Sequence, residues 1–192
     1  MHDYAAGYGV NAGCGLPDVS GAGRDEYCMR LALHEAERAF DAGDVPVGAI
    51  VAKGNSVVGR GSNRTVRDQD PTAHAEMLAL RDAARALGTW RLDDCTLTVT
   101  LEPCAMCAGA LVLSRIQRVV FGAWDDKSGM AGSIHDLLRH PRLNHRPQVT
   151  SGVLADDAAS VLRRFFRQRR GLTGDDAVES HSRTDDHSPV DR

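Results

Sequence analysis

Residues 95–111 read CTLTVTLEPCAMCAGAL. Leu97, Val99 and Leu101 alternate with threonines, the period of a strand with one face buried. Pro103 follows, a residue suited to the first helical position, where the backbone N–H has no partner. A helix is therefore predicted over about 104–114. Cys104 and Cys107 stand three apart at its start, so both sulfurs face one side about a turn apart. A helix N-terminus favours the thiolate form. Two such thiolates make half of a tetrahedral metal site.

Downstream, RVVFGA (118–123) reads as a second strand, and residues 123–133 as a Gly/Asp loop. IHDLLRH (134–140) reads as a short helix ahead of Pro141. DDAASVLRRFFRQRR (156–170) is a last helix, acidic at its start and basic at its end, as the dipole favours. Phe165 and Phe166 are adjacent, so at most one can face the core fully. The five arginines of its second half suit phosphates; read alone, they also fit a solvated face.

Upstream, DPTAHAEMLAL (70–80) opens a helix predicted over about Ala73–Leu87, stopped by Gly88. A polar loop is expected at 62–72. VGAIVA (47–52) and SVVGRG (56–61) flank KGN, a hairpin signal. Met29, Ala32, Leu33, Ala36 and Phe40 recur at helical spacing in a first helix over about Asp25–Ala42. This order of helix, hairpin and repeated helix–strand units predicts a three-layer α/β domain. Its mixed sheet is antiparallel at one end and parallel where helices cross over.

Composition bounds the function. The chain has 192 residues, one domain's worth, and 42% hydrophobic residues suffice for a core. No apolar run is long enough to span a membrane. The opening residues lack the basic-then-apolar pattern of a secretory signal, which predicts a cytoplasmic protein. Five cysteines, an odd number in a reducing compartment, then argue for metal or chemistry over disulfides. Residues 1–23 are Gly-rich and aperiodic and are expected to be a disordered leader; residues 171–192 are expected to be a disordered acidic tail. The net charge is −3, yet residues 1–23 carry −2 and residues 171–192 carry −4, so the domain expected over 24–170 is mildly basic.

A structural zinc ribbon needs a second Cys pair, and the remaining cysteines (14, 28 and 95) are isolated. The third ligand must come from elsewhere, and three protein ligands with an open fourth position is the catalytic pattern. His74 is the natural third ligand. Glu76, two positions on, can converge on the same pocket without ligating, where it would move protons from an activated water to substrate. His34, His135 and His140 are read as ordinary surface or core histidines. The pair CxxC alone also fits a redox motif, but HAE followed about thirty residues later by PCxxC is the signature of zinc deaminases.

Beyond that signature, VPVGAIV, NR, DPTAHAEMLAL, LTVTLEPCAMCAGALVLSRI, RVVFGAWDDKSGMAGS and HPRLNHR closely resemble the bacterial tRNA-specific adenosine deaminases, over about residues 25–170. The resemblance implies a cytidine-deaminase-like αβα sandwich, a homodimer, and conversion of adenosine to inosine at the wobble position of a tRNA anticodon loop. It implies one zinc per subunit on His74, Cys104 and Cys107, with Glu76 as the proton shuttle and His74 also walling the base. Asn63 should contact the flipped nucleotide. Asp125, Asn144 and His145 match positions near the RNA groove, and Phe166, Arg169 and Arg170 lie on the helix around which the family binds RNA. Taken alone, Asn63 reads as a turn residue and Asp125 as a loop charge. One departure is Trp124, where these enzymes usually carry a basic residue; it removes a phosphate contact and adds a stacking surface. The alternatives are a same-fold deaminase of cytosine, guanine or a free nucleoside, and a zinc-stabilised RNA-binding module without catalysis. Glu76 argues against the second, because a structural site needs no unligated carboxylate beside its metal.

Overall fold

The first helix, α1 (Ala22–Asp41), begins earlier than its apolar spacing suggests. In this computed structural model, which describes residue 16 and residues 21–171, Ala22 and Gly23 of the expected leader already belong to it. Leu16 is also part of the packed domain. It is 5% exposed against Cys28, Leu31 and Ile50, and its N–H donates to Asn55 O at 2.7 Å. The expectations for the rest of the leader and for the tail beyond Gly171 lie outside the described residues.

The hairpin forms as predicted, from β1 (Gly48–Lys53) and β2 (Ser56–Ser62). Next come a one-turn helix α2 (Thr65–Asp68), α3 (Ala75–Leu87), β3 (Cys95–Leu101), α4 (Ala105–Leu113), β4 (Arg118–Ala123), β5 (Gln148–Thr150) and α5 (Ala155–Arg169). The sheet runs β2-β1-β3-β4-β5. Strand β1 is antiparallel to both β2 and β3, while β3, β4 and β5 are parallel. The architecture is the expected αβα sandwich with a mixed sheet.

Period two sorts the side chains between layers. Ala49, Val51, Leu97, Val99, Val119 and Phe121 join Ala75, Ala79 and Ala83 of α3 and Ala108 and Leu111 of α4 in one core. Ile50 and Ala52 face α1 through Cys28 and Leu31, and Val120 meets Met29 and Ala32. Helix α5 lies beside α1, where Phe165 meets Phe40 edge-on with ring centroids 5.6 Å apart. Phe165 is buried and Phe166 exposed, as adjacency on a helix requires. Arg118 holds Asp25 through two hydrogen bonds of 2.7 and 2.6 Å and reaches Thr150 at 2.9 Å, tying α1 to β4 and β5.

Two glycines let α3 lie unusually close to β2. A Cβ on Gly59 would stand 2.7 Å from Ala83 N, and one on Gly61 would stand 2.7 Å from Ala79 N and 3.0 Å from Ala75 C. Ordinary carbon contacts lie at about 3.5–4.0 Å. The small faces of β2 and α3 thus fix the height of α3 above the sheet.

Two local expectations need correcting, and one strand was not foreseen. The loop at 62–72 contains α2, because the buried Asp44 carboxylate accepts from Val66 N (2.7 Å) and Arg67 N (3.1 Å) and caps its first turn. Residues 134–140 form turns instead of a helix. Their backbone groups are committed to the preceding loop: Ile134 N donates to Gly129 O, Leu137 N to Met130 O, and His135 O accepts from Gly132 N. Asp136 accepts from Arg139 N at 3.1 Å, closing the turn. Strand β5, with only three residues, is too short to show alternation.

Candidate metal centre and substrate site

Helices α3 and α4 each begin at a candidate ligand. His74 is the N-cap of α3 in extended backbone, and its carbonyl accepts from Leu78 N at 3.0 Å. Cys104 is the N-cap of α4, and its carbonyl accepts from Ala108 N at 2.8 Å. The extended cap leaves each side chain outside the helix, aimed back over its first turn. Both partially positive helix ends therefore meet at one place, which favours thiolate charge.

His74 Nδ1 lies 3.6 Å from Cys104 Sγ and 3.5 Å from Cys107 Sγ. The three ligand atoms lie within 4.8 Å of one another, and among the described residues this is the group of three able to hold a metal ion. A tetrahedral zinc site with bonds of about 2.3 Å to sulfur and 2.0–2.1 Å to nitrogen has nitrogen–sulfur edges of about 3.6 Å. The donor set and the edges both fit such an ion.

The charges of the bare cluster agree. The Cys104 thiol is pulled down to about 4, first by a hydrogen bond from Cys107 and then by one from His74. Cys107 is pushed up, first by that same bond to Cys104 and next by burial. His74 is raised by its bond to Cys104.

Glu76 sits in the first turn of α3, 4% exposed. Burial is the main influence on it and raises its pKa. A carboxyl whose pKa is raised by burial is a better proton acceptor than an exposed one.

The strand ends gather further residues. Asn63 is buried just past β2; its N–H donates to Val47 O at 2.9 Å, and its Oδ1 accepts from the Thr65 hydroxyl at 3.4 Å. The next residue, Arg64, donates to Ala73 O at 3.0 Å, which lays this segment beside His74. Asp125 follows β4, whose last residue Ala123 pairs with Leu101. Its Oδ1 accepts from Lys127 N at 3.0 Å. The end of α5 reaches the same side: Arg169 donates to Gly43 O, next to Asp44, and lies over the Phe165 ring at 5.2 Å. Phe166 and Arg170 are exposed there. Asn144 and His145 lie elsewhere. Asn144 Oδ1 accepts from Arg115 at 3.0 Å, and His145 Nε2 is 2.6 Å from Ile116 O. That is the start of β4, the opposite end of the sheet from the cluster.

Sequence reasoning missed two buried acids. Asp44 reads as a turn residue after a helix, yet it caps α2 and so steadies the segment after Asn63. Glu102 reads as the end of a strand. It is 2% exposed and accepts from Asp125 N (3.1 Å), Ala131 N (2.8 Å), Ser133 N (3.1 Å) and the Ser133 hydroxyl. Met130 N also donates to Pro103 O at 2.9 Å. The 124–133 loop is therefore bound to the turn that carries Cys104. The signal in the sequence was an acid placed directly before Pro-Cys at a strand end.

A family model described as MafB19-like deaminase matches residues 24–170. A tRNA-specific adenosine deaminase from Bacillus subtilis is 48% identical over 147 residues, 77% of this chain and 91% of its own. A solved tRNA:A34 deaminase, studied for A-to-I editing at the wobble position of transfer RNA, has 42% identity and a TM-score of 0.69, covering 71% of this chain and 99% of its own. A guanine deaminase from Nitrosomonas europaea is more distant at 28% identity, with a TM-score of 0.65 and coverage of 73% and 83%.

Proposed function

The chain belongs to the MafB19-like deaminase family and groups with the tRNA-specific adenosine deaminases; on that premise we propose how it converts adenosine to inosine at the wobble position of a tRNA anticodon loop. The reaction is hydrolytic: water replaces the amino group at the ring carbon, and ammonia leaves. The observation that carries the mechanism is a buried Glu76 beside a His–Cys–Cys cluster with tetrahedral edges.

The ion assigned is zinc, one per subunit, held by His74 Nδ1 and the sulfurs of Cys104 and Cys107. Zinc, when bound, supplies a Lewis acid that lowers the pKa of water from its bulk value toward about 7. Glu76 takes the proton from the attacking water and passes it to the ring nitrogen beside the reacting carbon. It then takes the remaining proton from the hydroxyl that has added to the ring carbon and delivers it to the amine, which departs as ammonia while the carbonyl forms. Its burial suits both transfers, since the raised pKa makes it a competent acid as well as a base.

A base in an RNA loop must be splayed out before it can enter such a pocket. Asn63, fixed beside the His74 segment, is assigned to the flipped nucleotide, and Asp125 to the RNA beside it. Phe166, Arg169 and Arg170 are assigned to the RNA backbone and bases along α5. Arg169 is partly occupied by Gly43 and Phe165, so Arg170 is the freer phosphate ligand of the two. The assignment of Asn144 and His145 to RNA rests on the family resemblance alone.

We assign the working form as a homodimer in the cytoplasm. The support for a second copy is α4, apolar along its whole length, with Leu113 71% exposed at its end. No helix among the described residues is long and apolar enough to cross a membrane. The testing experiment is turnover of an anticodon stem-loop beside free adenosine, guanine and cytidine. Inosine from the stem-loop alone is expected; deamination of a free base with an inert stem-loop would overturn the assignment.

A further inference from the structure

Trp124 is the first residue after β4. The strand's last residue, Ala123, pairs with Leu101, and Ala123 O accepts from Glu102 N at 2.9 Å. Cys104 is two residues beyond Glu102. Trp124 thus stands beside the strand end that leads into Cys104.

Its ring is both exposed and fixed. Trp124 is 50% exposed. It meets the fully buried Phe121 edge-on, with centroids 4.9 Å apart and planes at 87°. A Cβ on Gly132 would stand 3.0 Å from Trp124 Cζ3 and 3.3 Å from Cη2, so that backbone closes on the indole. Gly132 has φ of 148°, a conformation that also needs glycine. Glu102, through Asp125 N, Ala131 N and Ser133, ties down both ends of the loop that carries the ring. An exposed Trp held by this much structure is already ordered before anything lands on it, which lowers the entropic cost of binding.

The neighbouring charges say what lands there. Trp124 is followed by Asp125 and Asp126, which repel phosphate at this point. A neutral aromatic face suffers no such repulsion. Trp90 is a useful contrast. It is 63% exposed, its ring contact is the Arg91 guanidinium at 5.5 Å, and it precedes β3, at the far end of that strand from Cys104.

We propose that Trp124 is a stacking platform for a loop base adjacent to the reacting adenosine, so that it sets RNA affinity and the choice of flanking base. The inference rests on the wobble-deaminase reading above. Base–aromatic stacking corresponds to about a 5- to 150-fold effect on binding.

The test uses the full chain with zinc and an anticodon stem-loop. Trp124→Ala should raise KM by about tenfold or more within that range, with kcat at saturation and metal content nearly unchanged. Trp124→Phe should recover most of the loss, and Trp90→Ala should change nothing. Removing one of the two neighbouring bases, as an abasic site, should weaken wild type and erase the penalty of Trp124→Ala. In a Trp90→Phe protein, stem-loop binding should quench the remaining Trp124 emission. An unchanged KM in Trp124→Ala, or an equal penalty on both abasic loops and the intact one, would overturn the inference and leave the proposed activity standing. A changed association state in Trp124→Ala would overturn it in favour of a subunit contact. A wild-type protein that leaves the stem-loop unreacted would overturn both.

Discussion

Gly61→Ala tests whether the close seating of α3 on β2 positions the chemistry. The added Cβ would lie 2.7 Å from Ala79 N and 3.0 Å from Ala75 C, against about 3.5–4.0 Å for ordinary contact. The first turn of α3 must therefore retreat by about 0.5–1 Å. Ala75 lies between His74 and Glu76, so both move with it. A misplacement of about 1 Å costs about 10²-fold in rate, while overpacking costs about 1–3 kcal/mol of stability. Gly59→Ala is the control. Its Cβ would crowd Ala79 O and Ala83, at 2.7 Å from Ala83 N and 2.9 Å from its Cβ, one turn further along the same helix. Both variants should unfold at lower temperature by similar amounts. Measured per folded molecule on a stem-loop, kcat should fall by about 10²-fold in Gly61→Ala and far less in Gly59→Ala. Equal kcat losses in the two variants, or full activity in Gly61→Ala, would refute the link between this contact and the site.

Glu76→Gln should keep its metal, by elemental analysis, and lose at least about 10²-fold in turnover. Cys104→Ala or Cys107→Ala should instead purify metal-poor and less stable, and a chelator should reproduce that loss in wild type. Arg170→Glu should weaken tRNA binding and reduce the slope of log K against log salt by about 0.7, with thermal stability nearly unchanged; adding Arg169→Glu should also cost some stability, because Arg169 bonds Gly43 O. A chain cut to residues 24–170 should deaminate like the full chain but unfold at lower temperature. It loses Leu16, 5% exposed, whose burial contributes about 1.5–3 kcal/mol.

Much of this was legible in the sequence because its signals are local. The threonine alternation before Pro103 fixed β3, and cysteines three apart at a helix start read as paired ligands without knowledge of the fold. His74 and Glu76 were legible for the same reason. Asp44 and Glu102 were not, because their partners lie 22 to 31 positions away and are mostly backbone N–H groups, which carry no residue signature. The turns at 134–140 failed for the opposite reason: a single helical turn of apolar spacing cannot outweigh hydrogen bonds to residues 129–132. The resemblance grouped Asn144 and His145 with the RNA residues, and spacing gave no means of seeing that they sit at the start of β4.

The central claim is wobble deamination by a zinc site on His74, Cys104 and Cys107. Its most direct measurement is reverse transcription of a full-length tRNA transcript, carrying adenosine at the first anticodon position, after incubation with the zinc-loaded protein. The account predicts an A-to-G readout at that one position, absent with Glu76→Gln. No conversion there, or conversion scattered over other adenosines, would contradict it.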